Sequence, residues 1–546
     1  MFKFKYKPFA ILIIAVITGV TLSSCSKDSA KSTLVKDKNL ITVDNGEDPP
    51  TLDTALAQDS TSARILYDLF EGLTSFDQSL KVIPGLAEKW QISPDGKVYT
   101  FHLRSNLKFS DGSPITAEDV VFSWQRLADP KVASPYNNLT ANIINGSAII
   151  AGKLPATQLG VKALDAKTVQ ITLNHPDSAF LQICSMPNTA TISKANMLKF
   201  GQAWTNPKNM VTSGAYKIQE WVVKGNLLLT KNPNYYDAKN VNVKNVNFLP
   251  IVDYSASFNR YKTGEIDVSF SEPIDQYKDI QKQYPDQSHT VSMEAMYYYD
   301  FNMTLPKFKN NPELRQALTM AVDRDILVKD VLGQGQPALY SNVTATIEDG
   351  KFADSKYAWE SWPRAQQIAK AQDLFKAAGY GPNNPLEISI SYNTMDSHKK
   401  IALAIASMWQ QVFGATSIKT TAANQEWKSF IQARNNANYD VARDGWNADY
   451  NSADTYTNLF LCGNPLNKSK YCNPNYDKLI LQAQNTTDGV QRVQLIKQAL
   501  QIVQNDYAII PLYQYTYYRL VNPRVKSYIM TNNHFDHVMS KWYKLD

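Results

Sequence analysis

The chain has 546 residues, a formal net charge of +6, 44% apolar residues and 19% charged ones. That length is more than one core organises, so several domains are expected, and the composition excludes an intrinsically disordered chain. The charge is mild and shows no basic tract, so nothing points to nucleic acid as a partner.

Residues 1–25 read as a targeting segment. Lys3, Lys5 and Lys7 form a positive start, and Phe9 to Val20 is an apolar run too short to span a membrane comfortably. Leu22-Ser23-Ser24-Cys25 closes the run and resembles a bacterial lipobox. That resemblance implies cleavage before Cys25 and lipidation of Cys25. Residues 26–39 are polar and Lys-rich and read as a flexible tether. No later stretch is apolar enough to cross a membrane, so the mature protein is expected to be soluble but tethered.

Asn39 to Val43 reads as a strand and Ala63 to Leu73 as a helix. Leu86 to Trp90 opens a hairpin, with a turn at Pro94-Asp95-Gly96. Tyr99, Phe101 and Leu103 then alternate with polar residues as a half-buried strand. Thr116 caps the next helix, with Asp119 in its first turn and Val120, Trp124 and Leu127 on its apolar face. Cys184 lies in an apolar run and reads as a buried free thiol. Short strands and hairpins are expected to dominate up to about residue 295.

Beyond Tyr297-Tyr298-Tyr299 the texture becomes alternating helix and strand. Asn311 caps a helix whose first position suits Pro312. Helices are expected from Arg364 to Ala378, from Ser397 to Phe413 and from Gln425 to Ala433, with a strand through Leu386, Ile388, Ile390 and Tyr392. A further strand starts at Tyr439 and is expected to break at Gly445. Strand, helix, strand at this spacing implies parallel pairing. Ligands in such sheets collect beyond strand C-termini, which singles out Asn393 to His398 and Arg443 to Asp449. Val493, Ile496, Leu500 and Val503 mark a last long helix, and the chain returns through Tyr513, Tyr515 and Tyr517.

Export makes a disulfide expected between Cys462 and Cys472. No metal site and no cofactor are expected. His534 and His537 read as exposed residues, and the chain contains no H-E-x-x-H, G-x-S-x-G or P-loop motif.

Gly445-Trp446-x-Ala448-Asp449-Tyr450, preceded by Asp440-Val441-Ala442-Arg443, resembles the motif of periplasmic oligopeptide-binding proteins, the solute-binding subunits of peptide ABC importers. Residues 85–124 resemble the signature of family 5 solute-binding proteins. Thr51-Leu52-Asp53, Asp68 to Leu73 and Gly264-Glu265-Ile266-Asp267 carry the likeness elsewhere. Without it, the Gly445 stretch is a strand end with a solvated Asp and a core Trp.

The resemblance implies an α/β, bilobed periplasmic-binding-protein fold (type II, the three-domain peptide-binding subclass) with mixed sheets and a hinge. Domain I would be discontinuous, at 40–70, 198–294 and 517–546. Domain II would be inserted at 71–197, and domain III would be the second lobe at 295–516. It further implies a monomeric, lipid-anchored periplasmic protein that binds oligopeptides, serves ABC permease subunits and is not an enzyme. Asp449 would meet the peptide amine. Arg443 and His398 would meet its carboxylate, His398 lying in Asn393 to Lys400, which resembles the family's carboxylate-binding segment. Gly445 and Asn447 would pair with the peptide as an added strand, and Ser60 falls where the family also pairs backbone with peptide. Trp427 and Trp446 would wall side-chain pockets, with Tyr298 and Tyr513 as weaker candidates. The family's lysine position falls on Leu332, with Lys329 nearly one turn earlier. The alternatives are the same fold holding a dipeptide, murein peptide, haem or nickel chelate, or an exported hydrolase.

Overall fold

The computed structural model describes residues 37–486, 488–528, 535–536 and 539–546. The expected cleavage and lipidation at Cys25, most of the tether, and His534 and His537 lie outside these residues. Four sheets are formed among the described residues. In the first, Leu40–Asp44 pairs in parallel with Asn245–Leu249, and the sheet continues through Asn226–Lys231 and Tyr216–Val222. A second contains the expected hairpin Ala87–Ile92 and Val98–Leu103, followed by Thr168–Thr172 and Val161–Asp165. The turn lies at Gly96, whose φ of +71° favours glycine. Thr74–Phe76 and Val82–Pro84 form a two-stranded ribbon.

Of the fifteen strands among the described residues, five form the remaining sheet. Its strands are β1 (Ser288–Phe301), β2 (Leu386–Asn393), β3 (Ile418–Gln425), β4 (Val441–Asn447) and β5 (Ile509–Leu520), in the order β3-β2-β4-β1-β5. β2 pairs in parallel with β4, as the spacing implies, and also in parallel with β3, while β1 runs antiparallel to β4 and β5. Tyr297, Tyr299 and Phe301 of β1 are fully buried in this sheet's core.

Helix α1 (Ser60–Leu69) begins where Asp59 accepts a hydrogen bond from Ser62 N at 2.9 Å. It was expected to reach Leu73 but ends at Leu69, with Phe70 extended. The chain there squeezes past its neighbours: a Cβ on Gly72 would stand 2.1 Å from the Cys184 carbonyl oxygen. Ala117–Ala128 forms as expected, with Thr116 Oγ1 donating to Asp119 Oδ2 at 2.8 Å and Trp124 fully buried.

Three expectations are corrected. The region before residue 295 holds the helices Tyr254–Lys262 and Tyr277–Gln283 as well as strands, the first capped by Asp253 on Ala256 N at 2.7 Å. Strand β3 was not anticipated. As an edge strand with mostly exposed side chains it carries no clear apolar alternation. The helix expected from Gln425 therefore starts later, as α3 (Trp427–Asn435), capped by Glu426 on Ser429 N at 3.2 Å. Finally, the strand starting near Tyr439 does not break at Gly445, since β4 continues paired with β1 to Asn447.

Candidate functional site

β4 has two unequal sides. Against β1 it is paired from Val441 to Asn447, but its ladder with β2 holds only at Ile390↔Val441 and Ser391↔Ala442. From Arg443 onward, the edge that would face β2 borders a cavity of about 270 Å³. All eight residues expected at the site line that cavity: Ser60, His398, Trp427, Arg443, Gly445, Trp446, Asn447 and Asp449. They come from the start of α1, the first turn of α2 (Asp396–Phe413), the start of α3, and β4 with the turn after it.

Asp449 lies two residues beyond β4. Its backbone N–H donates to Thr455 Oγ1 at 3.1 Å, its Oδ1 accepts from Tyr136 OH at 3.1 Å, and Thr455 Oγ1 stands 3.4 Å from its Oδ2. Burial pushes the carboxyl up to about 7, against the pull of the Tyr136 and Thr455 hydrogen bonds. Trp446 is fixed by the same threonine, donating from Nε1 to Thr455 Oγ1 at 3.0 Å, and its ring stacks on Tyr136 with centroids 6.3 Å apart.

Arg443 reaches the other end of the strand edge. Its Nη2 donates to Tyr515 OH at 2.5 Å and its Nη1 to Asn393 Oδ1 at 3.4 Å, and the guanidinium lies 5.0 Å from the Tyr297 ring centre. Its Nε finds no hydrogen-bond partner among the described residues. His398 is buried, with Nδ1 3.2 Å from Tyr297 OH. Burial, and then the Arg443 charge, hold its imidazole well below the usual histidine range. It therefore offers a neutral ring hydrogen bond, while Arg443 supplies the positive charge at this end.

Gly445 has a reason to be glycine that the sequence did not disclose. Its backbone is ordinary strand, but a Cβ there would stand 2.7 Å from Tyr515 OH and 3.2 Å from Arg443 Nη2. Asn447 Nδ2 donates to Ser60 Oγ at 3.0 Å, tying two expected site residues together across the cavity. Trp427 stands half-buried at the cavity wall, its Nε1 without a partner among the described residues. Tyr513 lines the cavity and Tyr298 does not.

Leu332 occupies the cavity wall at the family's lysine position. Lys329 does not compensate for it, because its 70% exposed side chain pairs with Asp325 at 3.1 Å. Cys462 and Cys472 form the expected disulfide and Cys184 is a buried free thiol. Among the described residues no cluster of three His, Cys, Asp or Glu is placed to hold a metal, and no helix is long and apolar enough to cross a membrane.

Sequence reasoning missed Tyr136, Thr455 and Lys468. Tyr136 is 313 positions from the carboxylate it contacts, and no local pattern announces such a partner. Thr455 follows Asp449 by six residues, but threonine in a turn has many ordinary uses. Lys468 looks like one more loop lysine until its burial is seen.

Residues 81–468 match the family model described as bacterial extracellular solute-binding proteins, family 5 middle. The periplasmic oligopeptide-binding protein OppA of Salmonella typhimurium is 38% identical over 524 residues, 95% of each chain. The structure of Haemophilus influenzae OppA in complex with RPPGFSPFR superimposes with a TM-score of 0.90 at 34% identity, covering 93% of this chain and 99% of that one. The Escherichia coli murein tripeptide-binding protein MppA gives a TM-score of 0.90 at 36% identity, covering 94% of this chain and 99% of that one. Its unliganded open form gives only 0.63 at the same identity, over 93% and 98% of the two chains.

Proposed function

This chain belongs to the bacterial extracellular solute-binding proteins, family 5, and from that premise we propose that it captures oligopeptides by backbone and termini and delivers them to the permease of an ABC importer. It has the bilobed type II α/β fold of its structural neighbours. The observation that carries the peptide reading is the edge of β4 from Arg443 to Asn447, which pairs with no residue of β2 and lines the cavity. An extended peptide added there satisfies main-chain groups that every peptide shares. Asp449 beyond one end of that edge receives the α-amine. Arg443, with the neutral ring of His398, receives the carboxylate. Trp427 and Trp446 wall the spaces for side chains, which are not read by the main-chain contacts.

The same reading divides the chain as the sequence suggested. Domain I comprises 40–70, 198–294 and 517–546, domain II is 71–197, and domain III is 295–516. In support, β1 and β5 both run through the proposed junctions, and their register slips between Ser292 and Met296. A slipped ladder is where two long strands bend most easily, which supports a hinge at these junctions. Cross-cavity bonds then latch the closed form: Asn447 to Ser60 at 3.0 Å, Tyr136 to Asp449 at 3.1 Å and Lys468 to Gln58 at 2.8 Å.

The protein acts as a monomer in the periplasm, anchored through lipid on Cys25, and performs no covalent step on its ligand. The experiment is native mass spectrometry of the purified protein, followed by calorimetry with the peptides identified. Co-purified peptides, recovered uncut after incubation, are expected. A co-purified solute that is not a peptide, with no peptide bound, would overturn the reading.

A further inference from the structure

We propose that Lys468 is a ligand-selecting residue, and that its ammonium group gives this cavity a preference for peptides carrying an acidic side chain. The inference rests on the peptide-binding reading above and adds a specificity to it.

Lys468 lies in the loop closed by the Cys462–Cys472 disulfide. The loop's backbone is pinned: the Lys468 carbonyl accepts from Tyr439 OH at 2.8 Å, and Asn467 Nδ2 donates to the carbonyls of Leu461 at 3.0 Å and Tyr471 at 2.7 Å. The lysine side chain is only 8% exposed, yet it lines the cavity beside Gln58, Arg434 and Asp444. Its Nζ donates to Gln58 Oε1 and to the Pro465 carbonyl, both at 2.8 Å. Both acceptors are neutral, and no carboxylate pairs with it among the described residues.

The carboxyl groups that face it are already committed. Asp444, on β4, is paired with Arg434 of α3 and accepts from Gly445 N at 2.7 Å. Asp300, on β1, is pushed well above the usual carboxylate range by burial and then by Asp444, which makes it a poor source of counter-charge. Arg434 and, on its own loop, Lys470 add further positive charge. Burial first, and Arg434 second, lower the Lys468 ammonium to about 7. A buried ammonium held only by neutral acceptors is poorly compensated. A carboxylate entering from the cavity with the ligand supplies the missing counter-charge, as a charge-assisted hydrogen bond.

The test uses the full mature chain freed of co-purified ligand. Calorimetry at about pH 6.5 compares alanine tripeptides bearing Glu or Gln at each position in turn. At one position Glu is expected to bind roughly tenfold or more tighter than Gln. Lys468→Met brings that ratio to about one and Lys468→Arg keeps it. Loss of the Gln58 contact alone would weaken both members of a pair alike, so only the ratio reports the charge. A second measurement needs no variant. Above pH 7 the bound carboxylate draws the Lys468 pKa upward, so the Glu peptide takes up more protons on binding than its Gln partner. Comparing the two cancels any proton exchanged at Asp449.

A Glu-to-Gln ratio near one at every position in the wild type overturns the proposal. So does a ratio unchanged in Lys468→Met, or equal proton uptake by the two peptides. Failure of every tripeptide to bind would remove the peptide reading, and this inference with it. That result is distinct from binding without preference.

Discussion

If Asp449 meets the peptide amine, Asp449→Asn removes a charge and leaves the shape. Burial moves the wild-type carboxyl from 3.8 to about 7. At about 1.4 kcal/mol per pH unit, ionising it in this cavity costs about 4 kcal/mol more than in water. A ligand ammonium offsets that cost, and losing one partner of such a desolvated pair typically costs about 2–5 kcal/mol in binding, or roughly thirtyfold or more in affinity. The Tyr136 and Thr455 contacts survive in the amide, so the loss is one of charge. Below about pH 7 the carboxyl carries a proton that an incoming ammonium must displace. Wild-type affinity for a free-amine peptide therefore falls as pH drops, by roughly fifteenfold between about pH 7 and 5.5. The asparagine variant shows no such fall, so the penalty of the substitution shrinks at acid pH.

The assay is calorimetry with one tripeptide and its N-acetylated form on both proteins. Acetylation removes the cation and should cost the wild type much and the variant little, the non-additivity that a direct contact requires. A folding defect would weaken both ligands alike and lower the melting temperature. Full and separate penalties for mutation and acetylation, in a variant with wild-type stability, would show that Asp449 is not the amine site.

Gly445→Ala places a methyl 2.7 Å from Tyr515 OH. Overpacking of this kind costs about 1–3 kcal/mol, so peptide affinity should drop by about tenfold, with partial rescue by Tyr515→Phe. An unchanged affinity would mean the tyrosine moves aside freely. Replacing Cys462 and Cys472 by serine opens a loop of sequence separation 10. Chain-entropy reasoning puts the loss near 2–3 kcal/mol, read as a lowered denaturation midpoint on chemical unfolding. Cys25→Ala should abolish lipid labelling and membrane association while peptide binding persists, and fractionation with the membrane in that variant would disprove the anchor.

What the sequence determined by itself was what short-range chemistry can encode. The Ala87 to Leu103 hairpin follows from a turn signal flanked by alternation, and Ala117–Ala128 from a Thr/Asp cap and an apolar stripe. The parallel pairing of β2 with β4 follows from strand-helix-strand spacing. The cavity residues were legible because a dozen consecutive positions, Tyr439 to Tyr450, hold most of them together. A strand end gathers five of the eight into one motif that carries the family likeness, while Ser60, His398 and Trp427 lie on other stretches.

What only the tertiary structure decided depends on groups far apart in the chain. Gly445 was expected to break a strand; it instead leaves room for Tyr515, seventy positions later. Lys329 stood one turn from the right place in sequence, yet the helix turns it to solvent. His398 read as an anion binder of unspecified charge, and burial, then the Arg443 charge, hold its imidazole well below the usual histidine range. β3 stayed hidden because an edge strand buries too little to impose a pattern. Lys468 acquires its character from Gln58, 410 positions away, and from a loop closed by a disulfide. Burial and electrostatic environment are sums over neighbours in space. A single chain written in order shows which residues can take part in such a sum, and only folding decides which ones do.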